Sequence, residues 1–123
     1  MNHDTLVKDF IKRFPGWGVE EIKDLRSWYE DDDDPYLFFG FILNPLLAKK
    51  LTNEGNHEEL RGIFDFLEEM ANTHDKAVEG VLTAAILEVL GDDKIVLSNA
   101  RALMGKETIK FSHQIERAWG REK

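Results

Sequence analysis

The sequence predicts an all-α protein of six to seven helices, arranged as stacked antiparallel hairpins or an irregular bundle. Three observations carry that prediction. Apolar residues recur at helical spacing in several segments, and no segment shows the alternation of a strand. Pro, Gly and Asx residues punctuate the chain at short intervals. The connections they leave are short, which favours antiparallel neighbours. At 123 residues, with 42% of them hydrophobic, the chain suits a single domain with its own core, residues 1–123.

The elements follow in order. Leu6, Phe10, Ile11 and Phe14 mark a first helix starting near Asp4 or Thr5 and ending at Pro15-Gly16. A second helix from about Gly18 carries Val19, Ile22, Leu25 and Trp28-Tyr29 on one side and acids on the other, and Asp31 to Asp34 end it. Asp34-Pro35 reads as an N-cap followed by proline at the first helical position. The helix from Pro35 to about Leu43 is apolar nearly all round and is expected to be buried. Asn44-Pro45 is expected to break or kink it, with a short continuation over Leu46 to Leu51.

Asn56 with Glu59 resembles a capping box. It opens a helix with Leu60, Ile63, Phe64, Leu67, Met70 and Ala71 on one face. Asp75 caps the next helix, Lys76 to Leu90, which has so few charges that it is the expected central helix, with Gly91 closing it. Asp92 or Asp93 caps another, with Ile95, Val96, Leu97, Ala100, Leu103 and Met104, ended by Gly105. Ile109, Phe111, Ile115 and Trp119 form the apolar stripe of a last one. No fixed-period repeat supports a solenoid.

Charge narrows the function classes. The net charge is −8, and residues 20–34 alone sum to −6, whereas residues 94–123 sum to +4. Nucleic acid is therefore not an expected partner for the acidic half, since phosphate binding needs clustered Lys and Arg. A basic protein is, and the acidic field would speed the encounter. Cysteine is absent, which fits a reducing compartment. The N-terminus MNHDTLVKDF carries charges where a signal peptide needs an apolar stretch. The longest apolar run, Tyr36 to Leu47, is short of the roughly 20 residues of a membrane span. A cytoplasmic protein with no membrane partner is expected; nothing fixes its oligomeric state.

No catalytic signature emerges. The aspartate run fails as a calcium loop, because position six from Asp31 is Tyr36 rather than glycine. His57, His74-Asp75 and Asp92 follow the order of helical metal-dependent phosphohydrolases, but the spacings are short and the surroundings polar. Ser27, Ser98 and Ser112 lack a nucleophile context, and Gly16-Trp17-Gly18 is no phosphate loop. Glu68-Glu69 and Glu88 read as solvated helix faces. No enzyme, metal or cofactor is expected. The acidic segment with its flanking aromatics is the candidate partner-binding surface: Glu20, Glu21, Asp24, Tyr29, Glu30, Asp31, Asp32, Asp33, Asp34 and Tyr36. The competing reading of the aspartates is a plain helix stop and cap.

Four segments carry a family resemblance: DDDDPYLFFGFILNPLL from Asp31, LRGIFDFLEEMA from Leu60 followed by Asp75, VLTAAILEVLGDD from Val81, and ALMGKETIKF from Ala102. Together they resemble small bacterial helical proteins of the immunity type, met in toxin–immunity systems that include contact-dependent inhibition. The resemblance implies a non-catalytic protein that binds and blocks a cognate toxin domain, a nuclease being the expected kind. It assigns no site residues. A helical adaptor or regulatory module is the alternative, and a metal-dependent phosphohydrolase the more distant one.

Overall fold

The computed structural model describes residues 1–15, 34–52 and 57–121. Six helices occupy the described residues, and no strand occurs among them. They are α1 (Leu6–Arg13), α2 (residues 35–52), α3 (His57–Ala71), α4 (residues 76–90), α5 (Lys94–Arg101) and α6 (Lys106–Ala118). The expected second helix and the Asn56 cap lie outside the described residues. No helix among the described residues is long and apolar enough to cross a membrane.

α1 is amphipathic, with Leu6, Val7 and Phe10 buried. Among the described residues, Phe10 meets the rings of Phe14, Phe38, Phe39 and Phe66, with centroids 4.9–5.8 Å away and mostly edge-on. That is the geometry aromatic quadrupoles favour. It pins α1 to both α2 and α3.

At Asn44-Pro45 α2 does not take the first of its two expected courses, a break. The chain neither breaks nor ends there. Between the α-helical segments Pro35–Leu37 and Asn44–Thr52, residues Phe38–Leu43 form a π-helical stretch in which the Asn44 N–H reaches back five residues to the Phe39 carbonyl. Proline has no N–H to give the preceding turn. Widening that turn by one residue absorbs the misfit, and the helix runs on. α4 contains a second such stretch, Val81–Leu87, between Lys76–Gly80 and Glu88–Leu90.

The two widened stretches face each other. A Cβ on Gly40 would lie 3.8 Å from the Ala85 Cβ, and the buried Asn44 donates its amide to the Ala85 carbonyl at 2.6 Å and the Ile86 carbonyl at 3.3 Å. At the helix start, the Tyr36 hydroxyl lies against Gly80. Contacts that ascend together in both helices mean that α2 and α4 run parallel. The antiparallel neighbours are sequential: α3 turns into α4 through residues 72–75.

Leu43, Leu47, Ile63, Phe64, Leu67, Met70, Val78, Leu82 and Ile86 form the interior shared by α2, α3 and α4. α5 docks on the end of α2, where Asn99 donates to the Leu51 carbonyl at 2.8 Å. Its cap is Asp93, whose Oδ1 accepts from the Ile95 and Val96 N–H groups.

α6 overturns its expected facing. Ile109, Phe111 and Ile115 are only half-buried and Trp119 is exposed, whereas Thr108, Ser112 and Glu116 are buried. These three polar residues repeat every fourth position, so they line one face, and each has a partner from elsewhere. Thr108 meets Glu68, Ser112 accepts from Arg101 Nε at 3.1 Å, and Glu116 accepts from Arg121 at 2.6 Å. Gly91 closes α4 as expected, but not through a left-handed turn. Its φ is −73°, an ordinary helical value. A side chain there would collide with the Glu116 carboxylate and the Arg121 guanidinium, so close approach is the reason for glycine.

Candidate functional site

Of the expected partner-binding residues, Asp34 and Tyr36 are described. Glu20, Glu21, Asp24, Tyr29, Glu30, Asp31, Asp32 and Asp33 lie outside the described residues. Asp34 acts as the N-cap of α2: its Oδ1 accepts from the Tyr36 N–H at 3.0 Å and the Leu37 N–H at 3.4 Å. For this one aspartate the capping role is real.

Directly after that cap, α2 presents apolar side chains to solvent. Tyr36 is 43% exposed, Leu37 37% and Phe41 71%. Leu37 and Phe41 are four residues apart and so share a helical side. Their neighbours Phe38, Phe39 and Leu43 are fully buried on the opposite side. An all-apolar helix was expected to be covered all round. Such a helix carries no pattern that says which side stays open, which is why Leu37 and Phe41 could not be found from the sequence.

Of the His-Asp constellation, the His57 side chain lies outside what is described, and His74-Asp75 and Asp92 stand apart. Asp75 spends its carboxylate on the N–H groups of Ala77 and Val78 as the cap of α4. His74, with φ at +57°, forms the turn before it. Asp92 stands past the other end of α4, about 22 Å away for a helix of that length, and binds Arg121 at 2.8 Å. No group of three or more His, Asp or Glu side chains able to share a metal ion occurs among the described residues.

Two glutamates expected to be solvated are structural. Glu69 pairs with Arg13 through both terminal guanidinium nitrogens, and that partner holds its carboxyl below the ordinary carboxylate range. Glu68 reaches the start of α6, where Gly105 provides no side-chain cap. Its oxygens accept from the Glu107 N–H at 3.0 Å and from the Thr108 N–H and hydroxyl, both at 2.8 Å. Partial burial raises its pKa, but these donors, with Asn72, outweigh burial and keep it below the ordinary range.

The chain belongs to a family described as a domain of unknown function, DUF7674, whose model matches residues 7–120. No match to a curated protein or to a solved structure is found. The span shared with DUF7674 takes in the aspartate run, the open side of α2 and the polar face of α6.

Proposed function

We propose that this protein is an immunity-type inhibitor that binds a cognate toxin domain and blocks it sterically, without chemistry of its own, in the bacterial cytoplasm. One observation carries the reading. Three large apolar side chains, Tyr36, Leu37 and Phe41, stand open to solvent on a helix whose opposite side is core, and four consecutive aspartates lead into that helix. Exposed aromatics next to concentrated charge are the composition of an interface hot spot with an electrostatic guide. In this reading the apolar face supplies affinity. The aspartates supply rate and selectivity for a basic target, for which a nuclease groove is the natural candidate.

The test is co-expression with the product of the adjacent gene. Rescue of growth together with a co-purifying complex is the expected result. Phe41→Asp should then weaken that complex at least about tenfold, in keeping with loss of a central anchor. Changing Asp31 to Asp34 into asparagines should mainly slow association. No rescue and no complex would sink the inhibitor role. A complex with an unrelated host protein, without growth rescue, would instead make the domain a helical adaptor using the same face.

A further inference from the structure

A second surface lies where α4 and α6 end. Ala84, Glu88, Val89, Asp92, Trp119 and Arg121 line an open hollow of about 320 Å³. Val89 is 45% exposed and Trp119 60%, so the hollow has an apolar wall facing solvent.

Its construction is specific. α6 closes on Gly120 at φ +71°, with the Arg121 N–H bonded back to the Glu116 carbonyl and the Gly120 N–H to the Arg117 carbonyl. This is a Schellman ending, and only glycine takes that φ freely. It turns Arg121 back over the end of α4. There the guanidinium donates to Glu116 Oε2 at 2.6 Å, Asp92 Oδ1 at 2.8 Å and the Glu88 carbonyl at 3.2 Å.

The charge balance that results decides what fits. Arg121 is neutralised by the buried Glu116, so its charge is already used within the fold. Asp92 shares that same guanidinium, yet its side chain stays 71% exposed, and Glu88 adds a second acid to the lining, so one arginine faces three acids there. The C-terminal end of α4 adds the negative pole of its dipole. A hollow with an indole and aliphatic wall and a negative rim suits a lysine or arginine, whose stem is apolar and whose head is cationic. A second copy of the chain fits poorly, because each copy carries a net −8.

We propose that the hollow between the ends of α4 and α6 is a docking site for a lysine or arginine side chain of a basic protein partner, with Trp119 and Val89 as the wall and Glu88 and Asp92 as the rim. The site uses residues separate from the aspartate run, so it stands or falls independently of the inhibitor role.

The test is an NMR titration of the full chain with an arginine-rich peptide, against a neutral peptide of the same length. The Trp119 indole N–H resonance should shift with the basic peptide alone. Trp119→Ala and Glu88→Lys should each weaken binding by about tenfold, equivalent to about 1.4 kcal/mol. Asparagine at positions 31–34 should leave the Trp119 shift in place. Trp119 is exposed and Glu88 half-buried, and far-UV circular dichroism checks that the variants fold. Binding unaffected by either change, a Trp119 shift that the neutral peptide also produces, or a shift that grows with protein concentration and no peptide would each overturn the proposal.

Discussion

α4 and α6 are both anchored in the same bundle, but by opposite means. α4 buries Val78, Val81, Leu82, Ala85, Ile86, Leu87 and Leu90. α6 buries Thr108, Ser112 and Glu116, and leaves its apolar residues at the margin. Apolar burial is non-directional and needs only a close-packed neighbour. Polar burial needs a specific partner at bonding distance. α4 is therefore held by shape, whereas α6, beside the partly buried Ile109 and Phe111 at its margin, meets polar partners from Glu68 on α3, Arg101 at the end of α5, and Arg121 beyond its own C-terminus.

The largest expected effect comes from opposing one residue of each kind. Leu82→Ala should cost about 3 kcal/mol through lost burial and the cavity left behind, and Glu116→Ala about 2 kcal/mol, because the partly buried Arg121 keeps Asp92 but loses its closest acceptor. The conservative pair is sharper. Leu82→Met should cost at most about 1 kcal/mol, since volume is nearly kept. Glu116→Gln also keeps volume, yet should cost clearly more because it discards a charge-assisted bond. Urea unfolding followed by circular dichroism reads all four. Equal tolerance of the two conservative changes would break the distinction between the helices.

The same contrast explains what the sequence made legible. The bounds and cap of α4 at Asp75, the cap of α2 at Asp34 and the cap of α5 at Asp93 all rest on residues two or three positions from the groups they bind. Local contacts of that kind leave local patterns. α6 begins on Glu68, some forty residues earlier in the chain, and no local pattern encodes such a partner. The widened turns in α2 and α4 were illegible for a related reason. Pro45 signals a disturbance, but whether the helix breaks or widens depends on what Asn44 finds opposite it, and that is the backbone of Ala85 and Ile86. Of the candidate site, Tyr36 and Asp34 were legible from composition. Phe41 was not, because its exposure depends on which elements cover α2.

The middle-sized effect concerns the start of α6. Glu68→Ala removes the acceptor for two backbone N–H groups and the buried Thr108 hydroxyl, and should cost about 2 kcal/mol. Thr108→Val keeps the shape and drops one of those bonds, for about 1 kcal/mol. Both changes delete the same contact, so the double variant should cost less than the sum, by about 0.5–1 kcal/mol. Strict additivity would mean that Glu68 and Thr108 do not work as a unit.

The smallest effect is the pH dependence of that unit. The Glu68 carboxyl titrates below its ordinary range in the folded protein, where its donors favour the ionised form. A depressed folded pKa contributes stability that is present above the unfolded value, about 4.3, and is lost as pH falls through the folded value. Glu69, held down by Arg13, contributes with the same sign. Glu68→Gln removes one of the two contributions and leaves the other. The stability gap between Glu68→Gln and the parent should therefore be constant from neutral pH down to about 5, and shrink as the pH drops below about 4. The Arg13–Glu69 pair is more exposed and more easily screened, so added salt should flatten its part of the acid limb and spare that of Glu68. A gap that stays constant through acid would show that Glu68 acts at the start of α6 through packing alone, and the polar docking of this helix would then rest on Ser112 and Glu116.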